Sequence, residues 1–168
     1  MFNSIEQFGQ VWRVESELTR ATIAGLTDAS LSQAVGPSAR TLARLAWHLT
    51  QTLPEALGRT GLKVDGPGEH EPPPAEVAKL VDAYVTASES ALREVSTHWR
   101  DDTLNVENEM YGGERWPRSQ TLWMLVTHQI HHRGQMSVLM RQAGLKAPSL
   151  YGPVREDWAT FGMPEPGI

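Results

Sequence analysis

Leu122-Trp123-Met124-Leu125-Val126-Thr127-His128-Gln129-Ile130-His131-His132-Arg133-Gly134-Gln135-Met136-Ser137-Val138-Leu139-Met140 is the stretch that decides how this chain folds. It holds no proline, and its apolar residues recur at three- and four-residue steps, the period of an amphipathic helix. On a helical wheel Thr121, Leu125, His128, His132, Gln135, Met136 and Leu139 share one face. His128 and His132 stand four apart, which on a helix turns only about 40° around the axis. Their imidazoles therefore point the same way, one turn apart and toward the interior. Two neutral imidazoles facing one point are half of a first-row metal site. A pair of core histidines bonded to backbone or water has the same spacing. His131 lies at the edge of the face.

Working outward, three more helices are expected. Residues 3 to 26 carry Ile5, Phe8, Trp12, Glu15, Leu18 and Thr22 at helical steps, with Asn3 or Ser4 as cap and Gly25 near the end. A second helix opens at Ser38 or Thr41 and runs to about Leu57, with Pro54 expected to kink it or end it early. His48 sits on its inward face among Thr41, Leu45, Gln51, Thr52 and Glu55, more polar company than a plain packing face keeps. Gly58 to Pro74 is rich in Gly and Pro and reads as a long surface loop. A third helix spans about Pro74 to Trp99, with Pro74 or Ala75 in its first turn.

Residues 101 to 117 read as a short extended pair or an irregular loop, turning at Tyr111-Gly112-Gly113-Glu114. The fourth helix starts around Pro117 or Ser119 and stops at Gly144, after Gln142. The tail, about 145 to 168, is irregular, holds Pro148, Pro153, Pro164 and Pro166, and has room for one short helix between Val154 and Phe161. Tyr151, Trp158 and Phe161 are expected to dock it. Four long helical patterns make a single all-α domain over 1–168, a four-helix bundle with at most one small hairpin.

Composition narrows the function. The chain has 168 residues, net charge −5 and no cysteine. No basic block is present to neutralise phosphates, so neither nucleic acid nor an anionic membrane is expected as partner. No apolar run is long enough to span a membrane, and the first residues lack a signal-peptide pattern, so a cytoplasmic protein is the default. Without cysteine, any metal must be held by His, Asp, Glu or water, and any thiol nucleophile must come from outside.

His48 from the second helix and His128 with His132 from the fourth can meet near one end of the bundle. Three histidines leaving positions open for water suit catalytic zinc, and nickel, iron or manganese also fit. Gln51, Glu55 and Gln135 share faces with these histidines and are candidates for a hydrogen bond to an imidazole or for substrate contact. Arg133 points away from the histidine face, toward a salt bridge or cap. Glu55 is about 10 Å along the axis from His48, so no carboxylate base stands beside the histidines. That favours a metal-activated nucleophile over a peptidase-like mechanism. A second apolar strip, Trp123, Val126, Ile130 and, with a small residue, Ser137, is expected to meet a symmetry mate or the first helix, the alternative being that the tail covers it.

The pattern as a whole resembles the DinB/YfiT-like family of small metalloenzymes. The likeness is carried by Leu45-Ala46-Trp47-His48-Leu49-Thr50, by His128-x3-His132 followed by Arg133-Gly134-Gln135, by Leu139-Met140-Arg141-Gln142-Ala143-Gly144, and by Pro148-Ser149-Leu150-Tyr151-Gly152. The resemblance implies a bundle with a long crossover connection, usually a homodimer, and a divalent metal on the residues matching here as His48, His128 and His132. It implies a transferase or hydrolase in which water or a low-molecular-weight thiol attacks a small electrophilic substrate, with zinc or nickel the first metals to try. The alternative is a metal- or ligand-binding bundle without turnover, in a stress or sensor role.

Overall fold

The computed structural model describes every residue except the tail positions Pro166 and Ile168. Four helices dominate: α1 (Ile5–Ala24), α2 (Leu42–Gly58), α3 (Val77–His98) and α4 (Arg118–Gln142). The strands β1 (Glu107–Glu109) and β2 (Arg115–Pro117) pair antiparallel, Asn108 opposite Trp116. The small hairpin is thus present, beginning just after the alternating residues 103–106. A 3₁₀ turn at Arg155–Phe161 occupies the tail segment expected to be a short helix.

Local chemistry sets the helix ends. Ser4 Oγ accepts the Gln7 N–H and Thr41 Oγ1 accepts the Arg44 N–H, each satisfying a donor that has no partner within its own helix. Beyond α4, Gly144 takes φ +75°, and the Leu145 N–H returns to the Met140 carbonyl at 2.8 Å. Two boundaries differ from the sequence reading. Pro54 neither ends nor shortens α2; it costs one donor near the helix end, where the fully buried Leu53, Ala56 and Leu57 hold the last turn to the core. Helix α3 begins at Val77, because Asp28 Oδ1, from the loop after α1, accepts the Val77 N–H at 2.8 Å.

The connection 59–76 doubles back along α2. Its Gly68 and Glu71 carbonyls accept from Gln51 Nε2 and Trp47 Nε1 in turn, at 2.6 and 2.8 Å. It therefore returns the chain to the start of α2, and α3 runs parallel to it: this is the long crossover. Trp12 Nε1 bonds the Ser88 carbonyl and the Ile5 N–H bonds Asp101, so α1 opposes α3. Glu15 meets Arg133, while Gly25 lies by Met140, so α1 and α4 share a direction. Helices α1 and α2 occupy opposite corners, each packed on α3 and α4. Between them Phe8, Trp12, Leu49, Leu53, Leu80, Leu122, Leu125 and Met136 are buried with almost no exposure, the apolar burial that drives the assembly.

The largest charged group inside this core is paired, although Arg133 Nε itself has no partner. Arg133 is fully buried on α4, where it ion-pairs with Glu15 and bonds Thr19 Oγ1 at 2.9 Å. The Tyr151 hydroxyl reaches both Arg133 and Glu15, so the tail is tied to α1 and α4 at one point. Tail docking is mainly polar. Arg141 pairs with Glu156 and Lys146 with Asp157, whereas Phe161, expected to pack, is 58% exposed. The second apolar strip of α4 is covered only in part, Ser137 bordering a cavity with the tail residues Pro148 and Tyr151. Val126 is buried, but Trp123 and Ile130 face outward, Trp123 meeting only the Phe2 ring edge-on among aromatics. Among the described residues, no helix is long and apolar enough to cross a membrane.

Candidate metal centre

The antiparallel packing of α2 on α4 sets the middle of one against the middle of the other. Gln129 Nε2 reaches the Leu49 carbonyl, and Tyr84 from α3 donates its hydroxyl to Gln129 Oε1 at 3.1 Å. That buried bridge holds the two helices in register beside the histidines. His48 then faces His128, with Nε2 atoms 3.1 Å apart, and His128 and His132 stand with Nε2 atoms 3.1 Å apart. The rings lie nearly perpendicular, with centroids 4.4 to 4.8 Å apart.

A single imidazole N–H can donate to only one neighbour, so hydrogen bonding does not explain why three Nε2 atoms converge. A common ligand does. Tetrahedral coordination with nitrogens at about 2.0–2.1 Å places them about 3.3 Å from one another, close to the 3.1 Å of the His48–His128 and His128–His132 pairs; all three ligand atoms lie within 4.8 Å. The three residues form the one metal-compatible His/Cys/Asp/Glu group among the described residues, each offering one ligand atom.

Protonation fits the same purpose. Burial pushes the His48 imidazole down to about 4, helped by the charges of Arg40, His132 and Arg44. Burial pushes His128 down to about 3, with His132, His48, His131 and Arg40 adding to it. His132 is also lowered, by burial first, against an opposing hydrogen bond from Gln135. All three are neutral near pH 7, the form that binds metal. Gln135 Oε1 lies 2.6 Å from His132 Nδ1 and accepts its proton, which leaves the Nε2 lone pair facing the cluster. His128 Nδ1 is buried with no protein partner.

A cavity of about 340 Å³ opens beside His48, walled by Gln51, Thr52, Glu55, Arg59 and Tyr111, with Arg40 and Arg44 at the side nearer the start of α2. Of the three companions picked from the sequence, only Gln135 reaches an imidazole. The Gln51 amide N–H groups go to the crossover carbonyls; its Oε1 is left buried and unpartnered on the cavity wall. Glu55 is engaged by Arg59 at 2.8 Å and by the Tyr111 hydroxyl at 2.7 Å, not by a histidine. His131 is exposed, its ring against that of His132 but outside the cluster, and His70 and His98 are exposed elsewhere.

Arg40, Arg44, Arg59, Glu69 and Tyr111 of this cavity escaped the sequence reading. Arg44 precedes His48 by one helical turn, so the wheel that placed Gln51 and Glu55 also contains it. Tyr111 comes from the irregular hairpin, where no period signals its direction; Gly112 and Gly113, at φ +64° and +80°, make the turn that delivers it.

The sequence model of the DinB family matches residues 1–167. The chain belongs to the DinB family. This DinB chain is 39% identical over 166 residues to an uncharacterized protein, YrdA, of Bacillus subtilis (strain 168), with 99% of each chain covered. It is 40% identical to a DinB-like protein from Bacillus cereus ATCC 10987 of known crystal structure, with a TM-score of 0.85 over 90% of this chain and 100% of that one. The DinB-like YjoA of Bacillus subtilis shares 15% identity and a TM-score of 0.61 over 88% and 99% of the two chains, a likeness of fold alone. As a DinB protein with three convergent histidines, the chain has a site able to hold a metal ion.

Proposed function

We propose that this DinB protein is a divalent-metal-dependent transferase or hydrolase acting on a small electrophile. The observation that carries the reading is the convergence of three neutral imidazole Nε2 atoms from two helices beside an open cavity. His48, His128 and His132 would hold the ion, zinc or nickel first. When bound, a divalent ion there supplies Lewis acidity and lowers the pKa of a water or thiol brought to it. The chain's own residues do the rest. Gln135 holds the His132 tautomer. The Tyr84–Gln129–Leu49 bridge holds the helix spacing. Arg59 and Tyr111 occupy the Glu55 carboxylate, which keeps it from serving as a free base. The nucleophile comes from outside, since the chain has no cysteine. We propose in addition that the protein is a homodimer through the outward Trp123 and Ile130 of α4, apolar side chains that remain exposed in the single chain.

Elemental analysis of protein purified without a His tag tests the metal. Less than about a tenth of an equivalent of transition metal after reconstitution, where a structural site binds by about 10 kcal/mol or more, ends this reading. Screening the loaded protein with small electrophiles, with and without cellular thiols, separates an enzyme from a binding protein without turnover.

A further inference from the structure

The start of α2 carries a charge arrangement that protein stability does not favour. Arg40 precedes the cap Thr41, and Arg44 lies in the first turn, with no acidic residue there. Cations at a helix N-terminus oppose its dipole. Among the described residues Arg40 and Arg44, like Arg13 and Arg118, form no ion pair, whereas Arg59, Arg93, Arg133 and Arg141 do. Arg40 and Arg44 nonetheless border the cavity beside His48. Arg40 also borders a second, apolar cavity of about 470 Å³ formed by Val35, Ala39, Leu45, Val138 and Leu139, which Gln135 closes on the histidine side. One guanidinium thus stands where a polar chamber and an apolar one meet, beside the imidazole cluster. Local rules broken in this way mark functional positions.

The walls determine what charge a ligand there should carry. The polar chamber holds Arg40, Arg44 and Arg59 against Glu55 and Glu69, a surplus of one positive charge. That count covers side chains alone, apart from any bound ion. A carboxylate's planar oxygens match a guanidinium fork, and Glu55 and Glu69 oppose a more highly charged anion at the arginines. We infer that the substrate is a small monocarboxylate with an apolar tail, its anionic end held by Arg40 and Arg44 and its tail in the Val35–Leu139 cavity. Arg40 and Arg44 are then specificity residues. The inference deepens the metal-site reading and rests on it for placing the reacting carbon near His48.

The test is calorimetric titration of hexanoate, hexanamide and acetate into zinc-loaded and metal-free protein, with zinc content measured on the same samples. Hexanoate is expected to bind at least about tenfold more tightly than its neutral isostere hexanamide and than tail-less acetate, in both forms. The exposed-site variant Arg40→Gln should lose most of that preference, and Arg40→Gln with Arg44→Gln all of it, with helical circular dichroism and zinc content unchanged. Arg44→Lys, which keeps the charge, should retain it. Equal binding of acid and amide, no measurable binding of hexanoate, or a preference that survives the double variant overturns the proposal; the last would mean direct coordination by the metal. A wild-type chain that keeps the acid preference but takes up no zinc defeats the metal reading alone.

Discussion

Replacing Gln135 by leucine should weaken zinc binding without weakening the fold. Gln135 Oε1 is the acceptor for His132 Nδ1, at 2.6 Å, and the side chain is otherwise exposed. Removing it frees the imidazole to turn and to place its proton on Nε2, the atom that must stay bare. Losing such a supporting hydrogen bond costs about 10- to 100-fold in metal affinity, or about 1.4–2.7 kcal/mol. Leucine suits the neighbouring apolar wall of Leu45 and Leu139, so stability should move by less than about 0.5 kcal/mol. Gln135→Glu makes the opposite change, because a carboxylate accepts the same proton more strongly and raises the basicity of Nε2; zinc should bind as tightly as in the parent or more so. The assay is competition with a chromophoric chelator near neutral pH, with thermal unfolding of the metal-free proteins alongside. A leucine variant within about threefold of the parent, or a glutamate variant weakened as much as the leucine one, would refute the role given to this hydrogen bond.

Other parts of the molecule give further expected outcomes. Arg133→Met leaves the Glu15 carboxylate, 10% exposed, without its cation, and should cost about 3–5 kcal/mol, lowering the thermal midpoint by about 6–20 °C; a fall of only a degree or two would mean that water replaces the guanidinium. His132→Ala removes one of three ligands, worth about 3 kcal/mol if a four-ligand site's binding energy is shared evenly, and should abolish stoichiometric zinc while preserving helical circular dichroism; His131→Ala should change neither. The histidines also set a pH window. The folded values for His48 and His128, about 4 and about 3, lie below the unfolded value of 6.5. As pH falls through 6.5 the unfolded chain takes up protons and the folded one does not, so metal-free stability is full above 6.5 and declines from there toward about 4 for His48 and about 3 for His128. Zinc binding by the folded protein, measured at constant fold, should hold to below pH 6.5, because all three rings are lowered from that value; a decline centred on 6.5 contradicts the burial of these rings.

What the linear order of residues settles here is whatever depends on near neighbours. The proline-free period from Leu122 to Met140, the cap at Ser4, the stop at Gly144 and the four-residue step from His128 to His132 involve contacts within a turn or two, and helical geometry carries them directly. The inward direction of His48 follows likewise. The direction of the helices is of another kind. Nothing near Gly58 says that the next segment must run back along α2; that is decided by Trp47 and Gln51 offering donors to its carbonyls.

Tertiary structure alone also assigned the polar side chains their partners. Glu55 and Gln135 both share faces with the histidines, but only Gln135 bonds an imidazole, while Glu55 accepts from Tyr111, 56 residues away. Arg133, adjacent to a candidate ligand, belongs instead to Glu15, 118 positions distant. Such pairings depend on distance in space, and burial in a low-dielectric core forces each charge to find its partner there. Local periodicity therefore placed the three histidines on facing sides of their helices, and long-range packing brought their ligand nitrogens to within 4.8 Å of one another.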